Sequence, residues 1–367
     1  MDKPKIPFMD LRVHDPKERE TLLNTFSRIM DHGRFIMGHE VEQFEEKVAK
    51  YCQRKYCVGV SSGTDALFLS LKSLGIGPGD EVITTSLSWI ATANAIVMAG
   101  ATPVFADINP NLNISVESIE RLITDKTKAI LPVHYTGRPV EISRISELVK
   151  DKDIRVVYDA AQAFGSQYEG KSIGSYGDIS CFSMNPMKTL GACGEAGAIV
   201  TDDEALYEEL KILRYNGTIN KEFCTSPSLN GRIDALQAGI LSDRLDFLAD
   251  KISKRKSICR RYDELLEGVV STPEKDSDNS ISSYYSYTIQ VDDRQKMIDE
   301  LAAAGIETKI QHPILMCEQE PYKQYRHDIN NEARAIVSRI LCLPASENVE
   351  MSQAEYVAAT VKQIINS

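Results

Sequence analysis

Lys188 ends the segment Ser183-Met184-Asn185-Pro186-Met187-Lys188, and a loop of mostly small residues follows it, Thr189-Leu190-Gly191-Ala192-Cys193-Gly194-Glu195-Ala196-Gly197. A lysine is ordinarily a solvated surface cation. Apolar and small neighbours would instead desolvate this one in part, and a desolvated amine is a usable nucleophile. Tyr158-Asp159-Ala160-Ala161-Gln162 places a carboxylate at the C-terminal end of an apolar run, where open α/β sheets hold their ligands. A carboxylate buried there needs a cation or strong donors. A protonated ring nitrogen would serve: at an effective dielectric near 20, such a pair ~4 Å apart attracts by roughly 4 kcal/mol before desolvation. Asp159 could equally cap a following turn.

Two further segments carry chemistry. Ser61-Ser62-Gly63-Thr64-Asp65-Ala66-Leu67 follows an apolar run and opens a helical pattern. A helix N-terminus turns unpaired amides and the positive end of the macrodipole toward an anion. Gly63 would let the backbone approach that anion, and Thr64 adds a hydroxyl; an ordinary capped turn has the same composition. Trp89, the only Trp, lies in Ser88-Trp89-Ile90-Ala91-Thr92 just after a strand-like run. It either packs in the core or lays its ring on a planar cofactor.

The elements that must position these residues alternate regularly. Strand patterns are predicted at Val58–Val60, Glu81–Thr85, Thr102–Ala106, Lys128–Val133, Ile154–Tyr158, Ile179–Ser183 and Ala198–Thr201. Helical patterns lie between them, Trp89–Ala99, Val116–Ile123 and Glu141–Lys150 among them. This rhythm predicts an α/β fold, a mostly parallel sheet sandwiched by helices. Gly75-Ile76-Gly77-Pro78-Gly79 leads from a helix into a strand, the reverse of a dinucleotide fingerprint, and reads as a turn. From Ile233 the pattern changes. A long helical stretch from Ala235 towards Leu266 precedes a polar break, a strand at Tyr284–Val291 and a helix at Arg294–Ala304 ended by Gly305. Helices from Asn331 and Ser352 close the chain. The expected division is a large domain over 1–240 and a smaller C-terminal α/β domain over 241–367.

Composition narrows the function classes. The 367 residues carry a formal net charge of -11, which argues against nucleic acid as a partner, since that affinity comes from cations placed on phosphates. Eight cysteines show no CxxC pair and no zinc-like spacing to His, so no metal site is expected. Met1–Arg12 is charged and lacks an apolar signal core, and no stretch approaches a membrane span. The cytoplasm is the expected compartment.

Taken in order, these segments resemble the DegT/StrS-type sugar aminotransferases, a branch of the fold-type-I pyridoxal-phosphate enzymes. The resemblance runs from Gly33-Arg34-Phe35-Ile36-Met37-Gly38 through Ser62–Leu67, Ala91–Ile96, Gly100–Phe105, Asp159–Gln162 and Pro186–Lys188 to Asn230-Gly231-Arg232-Ile233-Asp234. It implies an aspartate-aminotransferase-like large domain that binds pyridoxal 5'-phosphate. By the resemblance, Lys188 is the lysine that bonds the cofactor aldehyde. Asp159 pairs with the pyridine nitrogen and keeps the ring an electron sink. Gln162 lies near the ring hydroxyl and Trp89 stacks on the ring. Gly63, Thr64, Ser183 and, from the second subunit of a homodimer, Asn230 form the phosphate cup. The implied reaction takes an amino group from an amino acid, typically glutamate, and gives it to a keto-sugar, nucleotide-linked in most of the family.

The departures lie on the substrate side. Where much of the family carries His-Tyr-Pro and then a second His, this chain has Gln311-His312-Pro313 and Cys317. His312 is the candidate substrate contact, or else a packed, hydrogen-bonded core histidine. Two other functions fit the scaffold. A sugar dehydratase of similar sequence commonly replaces the lysine with His, which Lys188 opposes. A non-catalytic sensor or regulator would not need Lys188, Asp159 and Trp89 together. A nicotinamide oxidoreductase lacks its glycine fingerprint.

Overall fold

The computed structural model describes residues 5–367. Two amphipathic helices, α1 (Pro16–His32) and α2 (His39–Tyr51), lead into the first strand. Asp15 caps α1 by accepting from the N–H groups of Lys17 and Glu18, which satisfies donors the helix itself cannot. Then come β1 (Tyr56–Val60), α3 (Gly63–Ser73), β2 (Glu81–Thr85), α4 (Ala91–Met98), β3 (Thr102–Ala106), β4 (Thr127–Leu131), β5 (Arg155–Asp159), β6 (Ile179–Ser183) and β7 (Gly197–Thr201).

These seven strands form one sheet in the order β1-β7-β6-β5-β4-β2-β3. The run from β6 to β3 is parallel, and β7 alone runs against its neighbours. Both faces are covered. Val156, Tyr158 and Phe182 pack with Val41 and Phe44 of α2 on one side, and Val157, Ile179 and Cys181 pack with Leu67 and Leu71 of α3 on the other. Strands buried on both faces read as continuous apolar runs, which is why the sheet was legible. The α/β sandwich expected from the alternating pattern is the fold observed.

The C-terminal third is built around a separate apolar cluster. The antiparallel pair β8 (Tyr287–Gln290) and β9 (Ile340–Leu343) packs against the helices Leu248–Leu266, Arg294–Ala303 and Met351–Ile365. Ile6, from the N-terminal segment, joins this cluster and bridges to Ile306. The long helix expected from Ala235 to Leu266 is in fact two, Ala235–Arg244 and Leu248–Leu266, separated by a 3-10 turn at Leu245–Phe247. Leu245 and Leu248 face the main core at this corner, so tertiary packing breaks a pattern that reads as continuous. Gly305, at φ 78°, ends the Arg294–Ala303 helix as expected. The glycine run at 75–79 is a turn between α3 and β2.

Candidate active site

The C-terminal ends of the parallel strands converge on a cleft of about 830 Å³. β1 delivers Gly63 and Thr64 at the start of α3, β2 delivers Trp89, β5 delivers Asp159 and Gln162, and β6 delivers Ser183 and the Lys188 loop; the C-terminal unit closes the cleft with Tyr285 and His312. The structure thus brings together every site residue singled out from the sequence except Asn230. Asn230 is exposed, bridges to Tyr215 and lies outside the cleft of its own chain. A second cleft, of about 740 Å³, also borders Lys188. Its buried charges are already paired, Arg244 with Glu18 and Arg255 with Glu347.

Lys188 is half-buried. Its loop is tied down where its backbone N–H donates to the Asn185 carbonyl over 2.8 Å, and its Nζ stands 4.6 Å from the centroid of the Tyr285 ring. No carboxylate pairs with it among the described residues. Asp159 is only 4% exposed. Thr92 donates its hydroxyl to Asp159 Oδ2 over 2.8 Å, Ala161 donates its backbone N–H to Oδ1 over 3.1 Å, and Ser88 lies 3.0 Å behind the Thr92 hydroxyl. The turn-capping reading therefore holds for one oxygen, while the other is held by Thr92. Burial pushes the Asp159 carboxyl up from its ordinary range; the Thr92 and Ala161 donors and the Lys188 charge oppose this. A buried carboxylate with no hydrogen-bonded cation is a site waiting for positive charge.

The anion-binding end is shaped by contact. A Cβ added at Gly63 would lie 2.5 Å from Ser183 Cβ, so only glycine lets α3 begin this close to β6. Ser62 caps α3 through the Asp65 N–H. That leaves the Gly63 and Thr64 amides, which a helix cannot satisfy internally, bordering the cleft. Gln162 accepts from the Thr136 N–H over 2.8 Å, fixing its side chain at the cleft wall. Trp89 is 63% exposed, so it is not a core tryptophan. Its indole lies 6.0 Å from the His312 ring, tilted by 43°.

His312 lines the cleft with φ 55°, a left-handed backbone rare for a residue with a side chain. Its Nδ1 lies 3.0 Å from the Tyr135 hydroxyl. Burial, with the charges of Lys188 and Lys309, pushes its pKa down to about 4, so the ring is neutral near pH 7. Cys317 is a different matter. It is buried in an apolar cluster with Tyr322 and Ile336, and burial pushes its thiol up to about 12; it packs and does not line the cleft. Thr92, Tyr135 and Tyr285 are the site residues sequence reasoning missed.

These residues fit a planar group with a protonated ring nitrogen and an anionic arm. Asp159 lacks a cation, the Gly63–Ser183 contact leaves room for nothing but backbone beside the free amides, and Lys188 supplies an amine. Among the described residues, no group of three or more His, Cys, Asp or Glu could hold a metal ion.

The family model for DegT/DnrJ/EryC1/StrS aminotransferases matches residues 16–362. The UDP-N-acetyl-3-dehydro-alpha-D-glucosamine 3-aminotransferase of Acidithiobacillus ferrooxidans is 36% identical over 363 residues, 98% of each chain. A "pleiotropic regulatory protein" of Geobacillus stearothermophilus is 33% identical over 365 residues, again 98% of each. Among solved structures, NtdA of Bacillus subtilis with bound cofactor PMP superposes with a TM-score of 0.92 at 31% identity, covering 100% of this chain and 86% of that one. On the family match and the length of these similarities, the chain belongs to the DegT/DnrJ/EryC1/StrS aminotransferase family.

Proposed function

We propose that the chain is a pyridoxal-phosphate-dependent transaminase that converts a nucleotide-linked 3-keto-sugar to the 3-amino sugar, with L-glutamate as donor. The observation that carries this reading is the half-buried Lys188 amine in one cleft with the buried Asp159 carboxylate and the open N-terminus of α3. Lys188 and Asp159 are the catalytic pair. Gly63, Thr64 and Ser183 hold the phosphate, Gln162 meets the ring hydroxyl, Trp89 covers the ring and His312 contacts the acceptor. When bound, pyridoxal phosphate supplies an aldehyde that exchanges amines and a ring that withdraws electrons. Asp159 keeps a proton on the ring nitrogen. Lys188 Nζ takes the Cα proton of the donor and, in the second half, delivers a proton to the sugar carbon that gains nitrogen.

The 3-keto position and the nucleotide follow the A. ferrooxidans relative. The exposure of Asn230 and of the apolar Ile36 and Phe223 supports a homodimer in which Asn230 completes the other subunit's phosphate cup. Residues 1–240 are taken as the cofactor-binding domain and 241–367 as the smaller one. Among the described residues no helix is long and apolar enough to cross a membrane, and all eight cysteines are free, which supports the cytoplasm. The test is a two-stage assay. Glutamate should discharge the colour of the cofactor-loaded protein and release 2-oxoglutarate, and UDP- and dTDP-linked 3-keto-sugars should then gain one amino group by mass. A nitrogen-free deoxy sugar would indicate a dehydratase, and no reaction with any amino donor a regulator.

A further inference from the structure

One tyrosine and one histidine face each other at the acceptor side of the cleft. Tyr135 is fully buried, and its hydroxyl lies 3.0 Å from His312 Nδ1 and 3.2 Å from the Gln311 carbonyl oxygen. The phenol has one proton to give, and burial pushes its pKa well above the ordinary value, so it stays protonated. Gln311 is 6% exposed, and no backbone N–H among the described residues donates to its carbonyl. Two proton arrangements are open. If Tyr135 donates to Nδ1, the Gln311 carbonyl is left without a donor. If Tyr135 donates to that carbonyl, the imidazole donates from Nδ1 to the phenol oxygen, and all three groups are satisfied. Buried polar groups are seldom left unpaired, which selects the second arrangement.

We propose that Tyr135 is a positioning residue that locks His312 as the Nδ1–H tautomer and presents a bare Nε2 to the cleft as the acceptor for a hydroxyl of the sugar. Nε2 has no protein partner among the described residues. Burial first, and then the neighbouring Lys188 and Lys309, keep the ring neutral. A bare nitrogen cannot bind a ketone oxygen, which has no hydrogen to give; it binds O–H. The site therefore distinguishes acceptors by a hydroxyl, while the carbonyl is left to the reacting end of the cleft, where Lys188 lies to move protons. The Tyr135 hydroxyl is the hydrogen-bond partner of the His312 ring among the described residues, and Trp89 lies 6.0 Å from the same ring. This inference rests on the keto-sugar reading for its ligand, but not for its tautomer.

Nitrogen-15 NMR of the histidine-labelled holoenzyme at pH 7.5 reads the tautomer directly. Nδ1 of His312 is expected to be protonated and Nε2 bare; Tyr135→Phe, which keeps the ring volume, should shift the population toward Nε2–H. In steady state, Tyr135→Phe should raise the acceptor KM about 10-fold, with kcat and the glutamate KM changing less than about 3-fold. An acceptor with the recognised hydroxyl replaced by hydrogen should bind wild type more weakly, and Tyr135→Phe no more weakly than the parent sugar. A protonated Nε2 in wild type overturns the proposal, as does a Tyr135→Phe that slows both halves equally or leaves the acceptor KM unchanged. If glutamate reacts and no keto-sugar does, the acceptor reading fails and with it the hydroxyl; the nitrogen shifts still decide the tautomer.

Discussion

Thr92 donates its hydroxyl to Asp159 Oδ2 over 2.8 Å, holding the buried carboxylate from the first turn of a helix 67 residues away in the chain. This bond both orients Asp159 and helps keep it ionised against burial. Thr92→Val keeps the shape and removes the donor. Losing a hydrogen bond to a buried charge costs on the order of 1.5–3 kcal/mol, so kcat/KM should fall about 10-fold or more. Circular dichroism should be unchanged. Unaltered kinetics would mean that the carboxylate needs no such support.

Gly63→Ala should weaken cofactor binding at least about 10-fold, because overpacking at a rigid contact forces backbone shifts. The added Cβ meets Ser183 Cβ at 2.5 Å and the Ser183 backbone at 3.0 Å. Adding Ser183→Gly should restore affinity only in part, since the backbone at position 183 still crowds the added methyl. Equilibrium dialysis of the cofactor measures both variants, and a Gly63→Ala protein with wild-type affinity would refute the close approach.

His134 is fully buried, stacks on Tyr158 and accepts from the Val140 N–H at Nδ1. Burial pushes its pKa down to about 3, against about 6.5 in an unfolded chain. Below about pH 6.5 the unfolded state takes up a proton that the folded state refuses. The contribution of His134 to stability is therefore complete above that pH and shrinks as pH falls toward 3. His134→Leu should lower Tm at pH 7.5, and its deficit against wild type should narrow by pH 5. A deficit constant with pH would show that His134 titrates alike in both states.

Asn230 tests the proposed sharing of the site between two subunits. Lys188→Ala and Asn230→Asp proteins should each be impaired, the second because a carboxylate repels phosphate. Co-expressed, they should recover activity in mixed dimers, where an intact Lys188 meets the other subunit's intact Asn230. No recovery above the Asn230→Asp level would place Asn230 in its own subunit's function.

How much was legible follows from where each interaction is made. Lys188, Asp159 and Gly63 lie in short segments at strand ends, where small residues and apolar runs mark the turn locally. Thr92, Tyr135 and Tyr285 act through partners remote in the chain, as in the Tyr135–His312 contact, whose ends are 177 positions apart; no spacing reports such a pair. The same limit hid the break at Leu245–Phe247, where packing overrides a continuous helical pattern. It also hid β9, a four-residue run that follows a helix with no turn signal. α1 and α2 escaped because they are rich in charge, and their buried faces become visible only against the helix Ala235–Arg244 and the sheet.

In the proposed reaction Lys188 both bonds the cofactor and moves the proton. Single-turnover measurement of Lys188→Ala, loaded with pyridoxal phosphate and mixed with glutamate, tests it most directly. Loss of at least about 10³-fold in the rate of 2-oxoglutarate formation is expected, with the wild-type fold retained and the visible absorbance of the lysine-bound cofactor gone. A variant that forms 2-oxoglutarate at the wild-type rate would show that Lys188 does not move the proton.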